Sequence, residues 1–315
     1  MSSTHYDVAV VGGGAAGLSA AVALARSLRS VVVIDAGEPR NAPAAHAHNL
    51  LGREGVPPLD LLAAGRGEAE SYGAEIRPGR TVAVRRVDDG FELDLADGAR
   101  LTARRLLLAT GLVDELPDVP GVRERWGRDV LHCPYCHGWE VRGQRIGVLA
   151  TGPLAGHQAL LFRQLSDDVT VLLHTAPELE EEVAEQLAAL GVEVVRGAVE
   201  RLTVEGDRLT AVVLADGRDL PVDAVAVGPR FVARSDLWAQ LGGTLTDHPM
   251  GAFIESDPMG RTAVPGVWTA GNAGNLSAMV GMSAAEGVMA GAAINADLVT
   301  EDARAAVERA RVAVG

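Results

Sequence analysis

The sequence has few cysteines, few aromatic residues and a deficit of positive charge. Two cysteines occur in 315 residues, aromatic residues make up 3% of the chain, and the formal net charge is −14. Two cysteines cannot form a framework of several disulfides. The acidic balance argues against nucleic acid or an anionic membrane as a partner, because both bind clusters of lysine and arginine. With so few aromatic side chains, alanine and valine are expected to fill much of the core.

Long hydrophobic runs are also absent. No uninterrupted apolar run reaches the roughly 18 residues that a membrane-spanning helix needs. The first residues, MSSTHYDVAVVGGG, lead into a predicted strand without a basic region, an apolar stretch and a cleavage site. We therefore expect a cytoplasmic protein with no membrane partner. Thiols in the cytoplasm are mostly reduced, so a cysteine pair there is more often catalytic or metal-binding than structural.

Glycine, by contrast, is abundant, and some of the 37 glycines stand where a dinucleotide-binding loop requires them. Residues 6–11 predict a buried parallel strand, residues 18–28 a helix, and residues 30–34 a second strand followed by Asp35. The loop between the first strand and the helix has the spacing G-x-G-x-x-G. Strand, loop, helix and acidic residue together match the dinucleotide fingerprint, whereas the glycines alone would be a weak signal.

The three glycines of this loop have different predicted roles. Gly12 permits a tight turn, and Gly14 lets a pyrophosphate approach the backbone at the N-terminus of the helix. Gly17 allows the helix to pack closely against the strand. Asp35 can accept hydrogen bonds from a ribose. The sequence therefore predicts a dinucleotide at this loop.

A second unit of the same kind begins in mid-chain. Residues 145–149 predict a strand, residues 153–165 a helix, and residues 169–173 a further strand. The architecture thus repeats, but most of the residues that would bind a dinucleotide are replaced. The positions that correspond to the three glycines and to Asp35 hold Ala150, Gly152, Ala155 and Leu173.

The order of these segments predicts an α/β protein with two Rossmann-like, doubly wound dinucleotide-binding domains, the second inserted into the first. Residues 1–115 and 229–315 are expected to form a discontinuous dinucleotide-binding domain, which the segments described next assign to FAD. Residues 116–228 are expected to form an inserted NAD(P)-type domain that carries the cysteine pair.

FAD is predicted for the first domain because of two later segments. RLLLATG at 105–111 and AVPGVWTAGN at 263–272 resemble the later FAD contacts of flavoproteins with two dinucleotide domains. Asn272 stands where such proteins usually have Asp, and its amide can still hydrogen-bond the ribityl chain.

The chain resembles the low-molecular-weight thioredoxin reductases over nearly its whole length. It is still more similar to the thioredoxin-reductase-like flavoproteins that include the dithiol oxidases of gliotoxin and holomycin biosynthesis. The segments that carry this resemblance are CPYCHGWE at 133–140, VLATGPLAGHQALLFRQLSDDVT at 148–170 and AGN at 270–272. The resemblance implies FAD, a CxxC pair on the inserted domain, and a homodimer.

Three uses are conceivable for the cysteine pair. His132, Cys133, Cys136 and His137 could bind zinc, but a structural zinc site usually takes its second ligand pair from a remote segment, and none is visible. A structural disulfide that closes so short a loop would constrain little of the unfolded chain. We therefore predict no metal and a redox-active pair.

The resemblance implies a role for each residue of this pair. Cys136 would lie against the isoalloxazine ring and form the thiolate–flavin adduct, and Cys133 would be the outer thiol that exchanges with the substrate. His137 stands where thioredoxin reductases usually carry Asp, and it could take the proton of a substrate thiol. A histidine on a helix surface with no catalytic role is the alternative.

Further contacts with FAD are predicted along the first domain. In the family, the loop at 46–52 passes the flavin, although a plain surface loop is the alternative. Residues 276–294 predict an alanine-rich helix whose N-terminal end points at the flavin, and residues 299–315 a solvated terminal helix. The predicted FAD-binding residues are Gly12, Gly14, Ala15, Ala16, Gly17, Asp35, Ala36, Gly37, Arg40, Asn41, His48, Asn49, Val82, Ala109, Thr110, Gly111, Gly271, Asn272, Ala278 and Met279.

The direction of electron flow depends on whether the second unit binds NADPH. Thioredoxin reductases place an arginine pair after the histidine that ends the corresponding strand, but here His174 is followed by TAPELE. The glutamates at 178 and 180–182 would repel a 2′-phosphate, and Leu173 offers no carboxylate for the ribose of NADH. NADPH is therefore doubtful as a cofactor.

These observations favour the oxidation of a substrate dithiol to a disulfide, with O2 as acceptor and release of H2O2. The expected substrate is a small dithiol or a small thioredoxin-like protein. One alternative is a thioredoxin-disulfide reductase that uses NADPH or another donor such as ferredoxin. An alternative of another class is a non-enzymatic, flavin-bound redox sensor.

Overall fold

The computed structural model describes residues 4–314, which form two compact units. Unit 1 is built from the segment that ends at Ala42, from Pro58–Val113, and from the segment that begins at Phe231. Unit 2 consists of Pro43–Pro57 and Asp114–Arg230. The sequence predicts that residues 43–57 belong with the first unit, whereas the structure groups them with the second. The assignment of each domain to its own dinucleotide stays a prediction.

The elements within residues 4–314 combine two stretches of alternating strands and helices, residues 4–78 and 122–196, with runs of consecutive strands. The strands are β1 (Thr4–Val11), β2 (Val31–Asp35), β3 (Glu75–Pro78), β4 (Thr81–Val87), β5 (Gly90–Leu95), β6 (Arg100–Leu108), β7 (Leu112–Glu115), β8 (Val130–Leu131), β9 (Ile146–Ala150), β10 (Val169–Leu173), β11 (Glu193–Arg196), β12 (Val199–Glu205), β13 (Arg208–Leu214), β14 (Asp219–Pro221), β15 (Ala224–Val227), β16 (Arg230–Ala233), β17 (Thr246–His248), β18 (Gly251–Phe253) and β19 (Val267–Thr269). The helices are α1 (Ala15–Arg26), α2 (Pro58–Ser71), α3 (Val122–Arg125), α4 (Pro134–His137), α5 (Ala155–Arg163), α6 (Glu181–Ala189), α7 (Asp236–Gln240) and α8 (Val280–Val314).

Unit 1 is centred on a mixed sheet with the order β3-β2-β1-β6-β5-β4. Strands β3, β2, β1 and β6 are parallel, β19 pairs with the last part of β6, and β5 and β4 continue the sheet antiparallel. The central strands are apolar on both faces, as expected for parallel strands covered on both sides. Small side chains fill much of one core, as the composition predicts; they include Val8, Val10, Ala20, Ala21 and Ala290.

The long helix α8 packs against α1 at unusually close range. A Cβ on Gly287 would overlap the carbonyl oxygen of Ala16, and a Cβ on Gly291 would lie 3.0 Å from the carbonyl oxygen of Ala20. Only glycine allows the two backbones to approach in this way. The helix that covers the sheet therefore depends on small residues in both partners.

The prediction of two separate helices near the C-terminus is wrong. The structure has one helix that begins at Val280 rather than at 276 and continues to Val314. No glycine or proline interrupts residues 295–299, and Leu298 is buried. Beyond that point, Asp302 accepts a hydrogen bond of 2.7 Å from Arg29, so the second half of the helix is also attached to unit 1.

Unit 2 has a parallel sheet with the order β11-β10-β9-β15-β8 and a three-stranded antiparallel sheet, β12-β13-β14. Helices α5 and α6 connect β9 to β10 and β10 to β11 in the Rossmann manner. Gly156 of α5 faces α6, and a Cβ there would lie 2.5 Å from Val183. The predicted α/β class with two Rossmann-like units is confirmed. Within residues 4–314, no helix has the length and apolar character needed to cross a bilayer.

Candidate active site

The glycine loop of unit 1 has the geometry of a dinucleotide cradle. Gly12 has φ +110°, and a Cβ there would overlap the carbonyl oxygen of Ala109. A Cβ on Gly17 would overlap the carbonyl oxygen of Gly12. Gly14, at the N-terminus of α1, has no atom within 4 Å of the position of a Cβ. Two glycines are thus required by packing, and the third borders open space where a pyrophosphate fits.

Asp35 is held beside this loop. The N–H of Gly13 donates a hydrogen bond of 3.1 Å to Asp35 Oδ1, and a Cβ on Gly13 would lie 2.6 Å from the carboxyl carbon. Gly13 is therefore a further required glycine, which the three-glycine fingerprint does not include. The open space at Gly14 and the carboxylate at the end of β2 together fit the adenosine half of FAD.

The other predicted FAD contacts of unit 1 follow neighbouring strands of the sheet. The register pairs Val11 with Ile34 and with Leu108, and Leu108 with Thr269, so the loops after β1, β2, β6 and β19 leave the sheet at one edge. This is where α/β sheets bind their ligands. The predicted residues at or near this edge are Ala15, Ala16, Ala36, Gly37, Ala109, Thr110, Gly111, Gly271 and Asn272.

Several of these side chains are already engaged with protein. Arg40 donates a hydrogen bond of 3.2 Å to Asn272 Oδ1, which brings two predicted contacts together. The Asn272 amide donates to the carbonyls of Asn275 and Ala278 at 3.0 and 2.9 Å. Thr110 donates to the carbonyl of Arg234 at 2.9 Å.

The remaining predicted FAD-binding residues lie on other parts of the chain. Ala278 is buried and Met279 is 40% exposed, and both precede α8 instead of lying within it. Val82 lies on β4, and its carbonyl accepts a hydrogen bond of 3.3 Å from Gln240. Asn41 is half-buried at the end of the first segment of unit 1. His48 and Asn49 belong to unit 2.

In unit 2, Cys133 and Cys136 form a disulfide with their Cα atoms 5.2 Å apart. Cys133 caps the short helix α4, and its Sγ accepts a hydrogen bond of 3.1 Å from the N–H of Cys136. A hydrogen bond to sulfur stabilises a thiolate there once the disulfide is reduced. Cys136 is exposed and Cys133 half-buried within the described chain.

The turn that carries the cysteines is attached to the sheet by residues that the sequence analysis missed. Gln158 of α5 is 9% exposed, and its amide donates to the carbonyls of His132 and Val227 at 2.8 and 3.4 Å. His132 Nδ1 lies 3.0 Å from the same Val227 carbonyl. Gly138 ends the turn, and a Cβ there would overlap Leu165. His132 thus has a structural role, and across residues 4–314 no three side chains of the usual metal-binding types converge.

The segment Pro43–Pro57 forms the other side of this turn. His48 Nδ1 lies 2.6 Å from Glu54, and its Nε2 lies 3.3 Å from Glu140. The Asn49 amide donates a hydrogen bond of 2.7 Å to the carbonyl of Tyr135, the residue before Cys136. No local sequence signal indicates these contacts, because the partners are far apart in the chain.

The half-buried position of His137 favours its neutral form. Burial lowers the pKa of His137, the carboxylate of Glu140 raises it, and His48 lowers it. Burial is the largest of these effects, so the neutral imidazole persists to lower pH than in an exposed histidine.

The second nucleotide loop is built differently from the first. Ala150 is fully buried, and its carbonyl accepts hydrogen bonds of 3.2 Å from the N–H groups of Thr175 and Ala176. His174 Nδ1 accepts a hydrogen bond of 2.9 Å from the N–H of Val199. Burial lowers the pKa of His174, which keeps the ring in this accepting, neutral form. Gly152 has open space around its Cα, as Gly14 does in unit 1.

An arginine that the sequence analysis missed lies at this site. Arg196 is opposite Leu173 in the β10–β11 register. It donates two hydrogen bonds of 2.9 and 2.8 Å to Glu178. The pairing lowers the pKa of the Glu178 carboxyl and raises that of Arg196. The acidic stretch is thus partly neutralised, and Glu181 and Glu182 occupy the first turn of α6, where acidic side chains are favourable.

Comparison with known proteins places these features in one family. The profile described as "Pyridine nucleotide-disulphide oxidoreductase" matches residues 6–291. The chain is 32% identical to a thioredoxin reductase, tcpT, of Claviceps purpurea, over 95% of this chain and 96% of that protein. It is 47% identical to HlmI, whose crystal structure superposes with a TM-score of 0.91 over 98% of this chain and 97% of that one.

A third similar protein supports the same family. An oxidoreductase from Agrobacterium tumefaciens is 36% identical, with a TM-score of 0.89 over 94% of this chain and 99% of that one. Family membership implies FAD, for which the cradle at Gly14 has room. The chain therefore belongs to the pyridine nucleotide-disulphide oxidoreductase family, as a thioredoxin-reductase-like flavoprotein oxidoreductase.

Proposed function

We propose that this chain is an FAD-dependent enzyme that oxidises a substrate dithiol to a disulfide, with O2 as the electron acceptor. The observation that carries the proposal is the nucleotide loop of unit 2. Ala150 replaces the first glycine, and the cation at the end of β11, Arg196, is bonded to Glu178. A 2′-phosphate would have to compete with that carboxylate. The CPYCHGWE segment, similar to that of dithiol oxidases, supports the same direction.

The proposed exchange uses residues of unit 2. His137 takes the proton of one substrate thiol, and the thiolate attacks Cys133 Sγ, which breaks the bond to Cys136 and leaves a thiolate there. The second substrate thiol gives its proton to water and attacks the bound substrate sulfur, which releases the product disulfide and leaves Cys133 as a thiolate. FAD held at the glycine loop of unit 1 would supply the acceptor for the two electrons, with O2 as the final oxidant. In the net reaction, the dithiol and O2 yield a disulfide and H2O2.

The test is to mix the purified protein with a small dithiol, dithiothreitol or reduced holomycin, in air and without nicotinamide. We expect O2 to be consumed and H2O2 to appear in equal amount. Rapid NADPH-dependent reduction of a thioredoxin, with no O2 uptake on dithiols, would overturn the proposal. A flavin-bound redox sensor, the alternative of another class, predicts a single reduction without turnover.

A reductase remains the second candidate because Gly152 leaves open space in the loop and Arg196 supplies a cation. Anaerobic incubation with NADPH separates the two, since bleaching of the flavin supports the reductase. Glu178→Gln would release Arg196, and Thr175→Arg with Ala176→Arg would add cations. Either change should raise NADPH affinity only modestly, because Ala150 remains. Ferredoxin is the other donor to try.

We further propose that the protein pairs with a second copy and works in the cytoplasm on a small dithiol or a thioredoxin-like protein. Met282, Met289 and Val299 lie along one face of α8 and are 47%, 43% and 52% exposed. An apolar stripe of this kind supports association. Sedimentation should show a dimer that Met289→Glu weakens, and a monomer at high concentration would contradict the pairing.

A further inference from the structure

One peptide group links the loop within Pro43–Pro57 of unit 2 to the sulfur of Cys133. The Asn49 amide donates a hydrogen bond of 2.7 Å to the carbonyl oxygen of Tyr135. The same peptide carries the N–H of Cys136, which donates a hydrogen bond of 3.1 Å to Cys133 Sγ. The two bonds form a chain through a single amide. Hydrogen bonds in such a chain polarise one another, so the first strengthens the second.

We propose that Asn49 is a positioning residue for the redox pair, and that its hydrogen bond to Tyr135 favours the thiolate form of Cys133. The inference rests on the proposed function in that it treats Cys133–Cys136 as a redox pair. In the exchange step, Cys133 is the sulfur that the substrate attacks and that leaves at the end. A more stable thiolate leaves faster and is present at lower pH.

The backbone at Asn49 suits this task. Asn49 has φ +59°, in the left-handed region that asparagine tolerates better than most residues. Its N–H donates a hydrogen bond of 2.9 Å to Glu54, and the same carboxylate contacts His48. His48 also contacts Glu140, so the loop is attached to the cysteine segment at two points. These contacts of the loop therefore fix the direction in which the Asn49 amide points.

The orientation of the amide follows from its partner. A carbonyl oxygen only accepts, so the group of Asn49 that faces Tyr135 must be the NH2. Glycine also suits a positive φ, so Asn49→Gly removes the side chain without backbone strain. Asn49→Asp keeps the shape and replaces the donor by a carboxylate. Leu51→Gly is the matched control, because Leu51 belongs to the same loop, is fully exposed at 103%, and has no part in the chain of hydrogen bonds.

The experiment measures the reactivity of Cys133 alone. Each loop variant is made in the FAD-loaded Cys136→Ser protein, which keeps the N–H of residue 136 and has one thiol. The rate of alkylation by iodoacetamide is followed by mass spectrometry from about pH 5 to 10, a range that spans the titration of a free thiol. No turnover, O2 or NADPH is needed, so the result holds even if the proposed direction of electron flow fails.

We expect Asn49→Gly to raise the pH midpoint of alkylation by about 0.3 to 0.5, which is two- to threefold less thiolate below the midpoint. Asn49→Asp should raise the midpoint further because of its negative charge, and Leu51→Gly should leave it unchanged. An unchanged midpoint in Asn49→Gly would overturn the proposal. An equal shift in Leu51→Gly would also overturn the proposal, because the effect would then come from loop mobility.

Discussion

The side-chain amide of Gln158 lies 2.8 Å from the main-chain carbonyl oxygen of His132 and donates a hydrogen bond to it. Gln158 also reaches the Val227 carbonyl, and it is 9% exposed. One buried amide thus joins helix α5, the end of β15 and the residue before Cys133. The cysteine turn is therefore attached to the rigid part of unit 2 by this side chain.

Gln158→Met should destabilise unit 2 and loosen the cysteine turn. Methionine keeps the length of the side chain but leaves the His132 carbonyl without its donor, which costs about 1–3 kcal/mol of unfolding free energy. Urea unfolding measures this loss. Gln186→Met is the control, because Gln186 is exposed on α6 and its amide donates to the side chain of Glu182, which is also exposed. Equal stability of both variants would show that the Gln158 hydrogen bond contributes nothing.

Gly14→Val should fold but fail to retain FAD. The N-terminus of α1 at Gly14 has φ −77°, which any residue can adopt, and no protein atom lies within 4 Å of the added Cβ. The side chain would fill the space left for the pyrophosphate. The ratio of flavin to protein absorbance in the purified variant measures the loss.

The matched control is Gly152→Val in unit 2, where a Cβ also meets nothing within 4 Å. It should keep the full FAD content, because the loop at Gly152 is not among the predicted FAD contacts. A Gly14→Val protein as yellow as the parent would place the cofactor elsewhere.

The residues of the dinucleotide cradle could be predicted because their roles are local. The spacing of Gly12, Gly14 and Gly17 and the strand before them determine the turn, and Asp35 ends the next strand. These positions lie within a few dozen residues of one another. A strand–loop–helix pattern in the sequence is therefore enough to predict the residues of the cradle.

The surroundings of the cysteines could not be predicted in the same way. The hydrogen bond between Asn49 and Tyr135 joins residues 86 positions apart, and no periodicity connects them. Arg196 has no such signal either, because a phosphate clamp is expected directly after His174, whereas this cation lies on the neighbouring strand. In both cases the contact is made by the tertiary fold.

The pH dependence of dithiol oxidation should report the environment of His137. Burial lowers the pKa of His137, so its neutral, proton-accepting form persists as the pH falls through the usual histidine range. The rate should therefore decline only below that range. His137→Gln should slow the reaction most at low pH, where spontaneous substrate thiolate is scarcest.

Two neighbours of His137 should move this acid limb in opposite directions. Glu140 raises the pKa of His137, so Glu140→Gln should shift the limb to lower pH. His48 lowers the pKa, so His48→Gln should shift the limb to higher pH. Glu193→Gln, an exposed change on β11, should leave the profile in place. Shifts of the same sign in both neighbour variants would show that His137 does not control the limb.

Gly287→Ala should destabilise unit 1 and reduce its FAD content together. The added Cβ would overlap the carbonyl oxygen of Ala16, so α8 must move away from α1. Overpacking of this kind typically costs about 1–3 kcal/mol. Ala16 lies in the first turn of α1, next to the glycine loop, so the displacement should also weaken the cradle. Thermal unfolding and the flavin-to-protein ratio measure the two effects.

Gly67→Ala separates this packing effect from the general effect of alanine in a helix. Gly67 is exposed on α2, and a Cβ there meets nothing within 4 Å. Alanine is the better helix former, so this variant should gain about 0.5–1 kcal/mol and keep its flavin. The two substitutions are chemically identical and should change stability with opposite sign. If Gly287→Ala is as stable as Gly67→Ala, α1 and α8 do not depend on their close approach.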